Sequence, residues 1–316
     1  MSDDYAPTAT PDALEARAHL YQQVRLFFAT RNVLEVEVPL LSARFVTDPF
    51  IQPIIARRND QCAYLQSSPE YALKRLLAAV PRCVYSLGKA FRDGENSTRH
   101  NSEFTLLEWY RLGMDDRALM GEVAEVVALA MPDVAINYSS YQQWFIDELE
   151  LNPHLATASE LATVASRFIE INGTGLSRDD WLDLLITHVL EPRLPPGLTF
   201  IYDYPASQAA LARIVPDETG QPVARRFEAF LNGMELANGY WELTDAHELT
   251  QRFAADRAKR QALGLPDVRA DERLLAALEA GLPACAGVAL GVDRLLMHIL
   301  GATSIEQVLT FPTARA

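Results

Sequence analysis

An α+β fold, an antiparallel sheet flanked by helices, is predicted by three observations along this chain of 316 residues. Strand-like runs occur in hairpin order around polar loops, helical patterns precede and follow them, and residues 138–197 turn to short helices that interrupt the strands. No internal repeat divides the chain, so it reads as one large domain with a helical insertion.

The elements follow in order. Thr10-Pro11 supplies a cap and a first-turn proline, after which Leu14, Ala18, Tyr21, Val24, Phe27 and Phe28 recur at helical spacing up to about Thr30. Leu34-Glu-Val-Glu-Val38 alternates with period two and stops at Pro39, which predicts a half-buried strand. Ser67-Ser-Pro-Glu70 opens a helix through Leu77, with a serine cap before the proline. Residues 84–91 and 104–110, rich in β-branched and aromatic side chains, predict an antiparallel pair from which a charged loop projects. The insertion contains a helix over 159–169 and a Ser177-x-x-Asp180 start ahead of a helix over 181–190. Strands over 199–204 and 226–231 resume the sheet, a charged helix runs from Asp245 to about Leu263, and a buried strand over 288–292 feeds a helix over 293–300.

Composition bounds the function. Hydrophobic residues make up 49% and charged residues 22%, and no apolar run approaches the roughly 20 residues of a membrane helix. The start, Met1-Ser-Asp-Asp-Tyr-Ala-Pro, is acidic and lacks an apolar core, so no secretory signal is read and the cytoplasm is expected. Cys62, Cys83 and Cys285 have no metal-type spacing and are odd in number. The net charge of −14, from 42 acidic against 28 basic residues, disfavours stable tRNA binding and better suits a basic protein partner.

Chemistry concentrates in a few segments. Arg92, Arg99 and His100 fall at the mouth of the charged loop, and a guanidinium fork held by a rigid sheet suits phosphate oxygens, although a long solvated hairpin fits as well. In Glu235-Leu-Ala-Asn-Gly-Tyr-Trp-Glu242, Asn238-Gly239 predicts a two-residue turn that sets Glu235 across from Glu242. Facing carboxylates repel, so a magnesium ion or a substrate amine is expected between them, unless both are simply solvated. Arg294 follows Gly291 at a helix start, where anions are favoured and where an arginine can also serve as a cap. Glu70, Glu108 and Glu242 are candidates to pair ammonium groups; Glu108, with Tyr110 on the same strand face, stands inside an otherwise apolar strand.

Arg92 with His100-Asn101-x-Glu103-Phe104-Thr105 and Glu108-x-Tyr110 resembles motif 2 of the class II aminoacyl-tRNA synthetases, in the version of the lysyl branch. Gly287-Val-Ala-Leu-Gly-Val-Asp-Arg294 resembles motif 3, and Glu235 to Leu243 resembles the segment that lysyl enzymes place between the two. The first helix, strand and Pro39 resemble motif 1, which implies a homodimer. The likeness runs from about Phe27 to the C-terminus and is greatest to the lysyl-synthetase paralogues that modify elongation factor P.

The resemblance implies a class II catalytic fold that uses ATP and Mg2+ to convert (R)-β-lysine, and lysine less well, to an adenylate. The acyl group then passes to a lysine amine of elongation factor P. Arg92 and Arg294 would be catalytic and grip ATP, aided by Asp93, Gly94, His100 and Asn101 in the loop and by Glu235, Leu236 and Gly291 elsewhere. Ser68, Pro69 and Glu70 would meet the amino end of the substrate, and Tyr110 its other end. Glu108, Asn238, Glu242 and Ala289 would complete the pocket, with Glu235 and Glu242 near magnesium. Ala289 stands where tRNA-charging lysyl enzymes usually carry glycine. Motif 1 is complete by Pro39, leaving no room for an N-terminal anticodon-binding barrel, so protein modification leads. A compact lysyl-tRNA synthetase-like enzyme and a catalytically silent regulatory paralogue are the alternatives. The chain departs from the pattern at Arg92-Asp93-Gly94, where relatives have Arg-Asn-Glu and the glutamate here is displaced to Glu95, at Ser102 in place of a proline, and at Trp241.

Overall fold

The computed structural model describes residues 5–170 and 175–316. Residues 1–4, part of the acidic start, and 171–174, inside the expected insertion, lie outside the described residues. The chain falls into two compact units: Met1–Met114, Glu125–Pro132 and Thr244–Ala316 form the first, and Asp115–Ala124 with Asp133–Leu243 form the second.

The first unit opens with helix α1 (Pro11–Thr30), where the Thr10 hydroxyl accepts the Ala13 N–H at 3.2 Å and Pro11 occupies a position that needs no donor. Its buried stripe is Ala13, Leu20, Val24, Phe27 and Phe28, while Leu14, expected on that stripe, stays exposed. Phe28 stacks on Tyr85 at 4.4 Å between ring centroids and approaches Trp109 at 5.5 Å. Removing so buried a ring costs about 3–5 kcal/mol, so this contact fastens the helix. The strand expected over 34–38 is reduced to β1 (Leu34–Glu35), exposed and parallel to Val84 and Tyr85. One more bond, from Val36 N–H to the Tyr85 carbonyl at 2.8 Å, precedes Pro39, which cannot donate. Strands β2 (Leu41–Ser42), β3 (Ile55–Arg58) and β4 (Gln61–Leu65) build a small antiparallel sheet that sequence patterning did not announce.

Helix α2 (Glu70–Ala79) takes Pro69 at its cap position, without a side-chain cap; the Ser68 hydroxyl accepts the Glu70 N–H at 3.0 Å instead. Strands β5 (Val84–Phe91) and β6 (Glu103–Leu112) pair antiparallel, with Ser86 opposite Glu108 and Val84 opposite Tyr110. Helix α3 (Asp116–Ala128) follows.

In the second unit, Tyr138 belongs to strand β7 (Ile136–Ser140) rather than to the helical segment, and its ring stacks on Phe200 at 5.1 Å. Helices α4 (Tyr141–Leu149), α5 (Ala158–Ala165) and α6 (Arg178–Leu185) come next. Capping boxes pair Thr157 with Glu160 and Ser177 with Asp180, so both helices start where their own side chains satisfy the first amides. Helix α5 stops at Ala165, short of the Ile169 expected. Strands β8 (Leu198–Pro205), β9 (Ile214–Pro216), β10 (Pro222–Leu231) and β11 (Met234–Trp241) complete a sheet ordered β11-β10-β8-β7, with β9 also on β10. Trp144, Phe145, Leu182 and Leu185 pack with Ile201, Tyr204 and Phe230 into the core of this unit.

The expected turn at Asn238-Gly239 is absent. Those residues lie within β11, opposite Glu228 and Phe227. The same dipeptide at Asn232-Gly233 makes the turn, with φ of 49° and 75°. Both values are positive, as the tight turn between right-twisted strands requires, and one hairpin cannot turn twice. Glu235 therefore stands opposite Phe230, and Glu242 bridges to Ala212; the two do not face each other. A bulge intervenes: Ala229 pairs with Ala237 but Phe230 with Glu235, which leaves Leu236 as the extra residue.

The first unit resumes with α7 (Ala246–Ala262), whose first amides bond to the Asp245 carboxylate, then α8 (Glu272–Gly281), strand β12 (Cys285–Gly291) and α9 (Val292–Leu300). Its main sheet runs β1-β5-β6-β12, and β12 lies antiparallel to β6 with Ala289 opposite Glu108. The predicted antiparallel α+β architecture thus holds, with the pairs β1–β5 and β7–β8 parallel. Among the described residues no helix is long and apolar enough to cross a membrane.

Candidate functional site

In the first unit, β6 presents Glu108 from the middle of an apolar strand, only 2% exposed. The Ser68 hydroxyl donates to its Oε2 at 2.6 Å and the Tyr110 hydroxyl to its Oε1 at 3.0 Å. Beside it, on the first turn of α2, Glu70 pairs with buried Lys74 at 2.6 Å. Burial, reinforced by the charge of Glu70, pushes the Glu108 carboxyl up to about 8, against the opposing pull of Ser68, Tyr110 and Lys74. Ala289 completes the cross-strand row on β12. Ser68, Glu70, Glu108, Tyr110 and Ala289 are thus brought together, and Pro69 is buried at the start of α2. A hydroxyl-lined carboxyl withdrawn from water suits a substrate ammonium.

The loop between β5 and β6 carries the anion-binding candidates. Arg92 pairs with Glu95 at 3.3 Å and lies over the Phe104 ring at 5.1 Å, while its Nε is buried without an acceptor among the described residues. A buried guanidinium donor with nothing to donate to fits a phosphate oxygen. The displaced Glu95 is accounted for by this pairing. Gly94 adopts a φ of 76°, and the Asp93 carboxylate accepts its N–H at 2.9 Å, so Asp93 shapes the turn. Arg99 is exposed.

Arg294, on the first turn of α9, donates to His100 Nε2 at 2.7 Å. Arginine can only donate, so Nδ1 carries the ring hydrogen toward the Ser97 hydroxyl at 2.8 Å. Asn101 is engaged internally: its amide donates to the Glu103 carbonyl at 2.6 Å and accepts the Thr313 N–H at 3.0 Å. Gly291 occupies the cap position of α9.

In the second unit, the bulge turns Glu235 to the face that carries Glu228 and Asn238. Arg226 contacts Glu228, and the Asn238 amide reaches Glu228 at 3.5 Å while its Oδ1 is buried without a donor among the described residues. Withdrawal from water raises the Glu228 carboxyl above its usual range, Arg226 opposing and Glu235 adding to the rise. Leu236 is buried in the bulge, and Glu242 is fully buried at the end of β11. Trp241 lies under two guanidinium groups, of Arg213 at 4.5 Å and Arg225 at 5.5 Å. No group of three or more acidic, cysteine or histidine side chains gathers to hold a metal among the described residues. Glu228 and Glu235, a pair of carboxylates on one face, nonetheless suit magnesium, which takes one or two carboxylates and completes its shell with phosphates and water.

Four residues escaped sequence reasoning. Lys74 was accessible through its i, i+4 spacing from Glu70, and Glu228 as an acid within an apolar strand, the signal that singled out Glu108. Arg226 carried no distinguishing pattern. Asp293, 1% exposed, accepts from Arg17 at 2.6 Å and from the Thr105 N–H at 2.7 Å, so it pins the start of α9 to β6; its neighbour Arg294 had drawn the inference. A cavity of about 1050 Å³ in the first unit is bordered by Ser68, the only one of the predicted residues on its wall. The amine pocket is therefore assigned on its chemistry rather than on cavity size.

Comparison with known proteins places these residues in context. The family described as tRNA synthetases class II (D, K and N) matches residues 4–315. The chain is similar to the elongation factor P–(R)-β-lysine ligase of Vibrio cholerae, 45% identical over 326 residues that cover 100% of this chain and 99% of the relative. It is also similar to the proteins of that name from Vibrio vulnificus, 44% identical over 99% of each chain, and Proteus mirabilis, 45% identical over 99% of this chain and 98% of the relative.

Proposed function

This chain belongs to the class II tRNA synthetase family, and we propose that it is an ATP-dependent ligase that activates (R)-β-lysine, and lysine less well, for transfer to a lysine amine of elongation factor P. Relatives aligned over nearly their whole length are named elongation factor P–(R)-β-lysine ligase. The observation that carries the reading is Glu108, buried between the Ser68 and Tyr110 hydroxyls as an ammonium site would be.

In this reading Glu108, Ser68, Tyr110 and Glu70 bind and orient the diamino acid so that its carboxylate attacks the ATP α-phosphate in line. Arg92 directs its unpaired Nε to the charge that develops there, and Arg294, steadied by His100, holds the outer phosphates. Glu228 and Glu235 would hold magnesium, which supplies charge neutralisation at the phosphate oxygens. Pyrophosphate leaves, and the acceptor amine attacks the acyl carbon of the adenylate, expelling AMP. Gly94 and Gly291, which carry no side chain, let the nucleotide approach closely. The enzyme acts in the cytoplasm as a homodimer.

Charge favours a protein acceptor over tRNA. The second unit carries 19 acidic and 7 basic residues, so most of the net −14 resides there. The decisive experiment offers labelled (R)-β-lysine and ATP with purified elongation factor P or with tRNA. Label is expected on the protein; label on tRNA alone overturns the assignment.

A further inference from the structure

Lys74 is the cation of the amine pocket, and its charge acts on both Glu70 and Glu108. Its ammonium, 2% exposed, hydrogen-bonds Glu70 at 2.6 Å and reaches Glu108 through space, while the Glu108 carboxyl takes hydrogen bonds from the Ser68 and Tyr110 hydroxyls. The groups that face Glu108 are Tyr110 from β6, Ser68 ahead of α2, Glu70 and Lys74 on α2, Ser86 from β5 and the methyl of Ala289 from β12. Counted together, two carboxyls share a single buried ammonium. A second buried anion beside Glu70 costs several kcal/mol, and protonation removes that cost.

We infer that Glu108 selects the substrate by exchange: the empty pocket holds its carboxyl in the protonated form, and the arriving ammonium takes the place of that proton. This rests on the amine-activating function proposed above. The step balances as R–NH3+ plus Glu108–COOH giving the R–NH3+ Glu108 carboxylate pair plus one H+, released from the carboxyl oxygen to solvent. Ser68 and Tyr110 serve both states, since a hydroxyl can accept from the acid or donate to the anion. The burial that lifts the carboxyl to about 8 agrees with the geometry.

Two consequences follow for recognition. A ligand without a cation at this end meets a neutral acid and gains no ion pair, so the pocket discriminates by charge and not by length alone. Affinity for the diamine also depends on pH in a range where the ligand's terminal side-chain amine, ordinarily near 10, stays protonated.

Isothermal titration of the full chain with (R)-β-lysine at pH 7, in phosphate and in Tris, reads the exchange directly, because the two buffers absorb a proton with different enthalpies. Nearly one proton released per ligand is expected, together with a Kd that falls close to tenfold per pH unit between pH 6 and 7.5. Glu108→Gln should bind with a buffer-independent enthalpy and a flat Kd. Should that variant bind too weakly to titrate, the wild-type pH dependence alone decides. Binding of the diamine with no proton release and a pH-independent Kd overturns the exchange while leaving the amine-activating function standing. Absence of any binding by lysine or (R)-β-lysine overturns both.

Discussion

His100 and Arg294 lie 194 residues apart in the chain and meet at 2.7 Å between Nε2 and Nη2. The contact joins the loop after β5 to the first turn of α9, so two candidate phosphate ligands hold each other in place before any nucleotide arrives. Arg294→Ala should reduce (R)-β-lysine-dependent pyrophosphate exchange by at least about 100-fold, as losing an aimed charge at a reacting phosphate does. His100→Ala, which leaves the guanidinium but frees it to move, should cost about tenfold. Equal rates in Arg294→Ala and wild type would remove that residue from the mechanism.

Asp293, next in the chain, acts on stability. Its carboxylate is buried against Arg17 and the Thr105 amide, and Asp293→Ala removes the anion that pairs with Arg17 and the acceptor of the Thr105 N–H. Denaturant unfolding should lose about 3–5 kcal/mol, the cost of breaking a buried charged pair from one side. Arg294→Ala, measured alongside, should stay within about 1 kcal/mol of wild type.

Ala289 is paired with Glu108 across the strands, so its methyl borders the carboxyl that meets the substrate amine. Ala289→Gly should raise kcat/KM for lysine relative to (R)-β-lysine by about 5- to 100-fold, since one methyl in a pocket is worth about 1–3 kcal/mol. An unchanged ratio would show that this methyl only packs.

Glu108 also ties stability to pH in the absence of ligand. Its folded-state value of about 8 lies above that of an unfolded glutamate, so the native chain holds a proton that the unfolded chain has lost. The contribution is fully present below about pH 4.5 and disappears as pH rises through 8, at up to about 1.4 kcal/mol per unit. Unfolding free energies at pH 5.5, 6.5 and 7.5 should therefore fall for wild type more steeply than for Glu108→Gln. Parallel profiles would mean that Glu108 is ionised throughout.

Much of this architecture was legible because local chemistry and tertiary packing agree. Thr10-Pro11, Ser177-x-x-Asp180 and Asp245 begin helices by satisfying the first amides with their own side chains, which needs no knowledge of the rest of the chain. The β5–β6 pair was equally plain from its side chains. Residues 34–38 alternate correctly yet form only a short edge strand, because pairing on one side and a terminal proline limit what alternation can achieve. The Asn238-Gly239 expectation failed because two identical dipeptides compete and only long-range pairing with β8 and β10 chooses between them. In the site, Glu108 and Tyr110 could be read two residues apart, whereas Lys74 and Asp293 matter through partners that the fold alone supplies.

The extra residue at Leu236 acts as a spatial frameshift. Side chains along a strand alternate between its faces, so Glu235 and Asn238, an odd number of positions apart, would point in opposite directions on an uninterrupted β11; the bulge puts them on one face. The length of the stretch from Met234 to Asn238 is therefore under tighter constraint than most of its side chains. Inserting one further residue between Glu235 and Asn238 as a regular step of the ladder would preserve the hydrogen bonding yet carry Glu235 to the opposite surface, so that a one-residue insertion would do more damage than several conservative replacements.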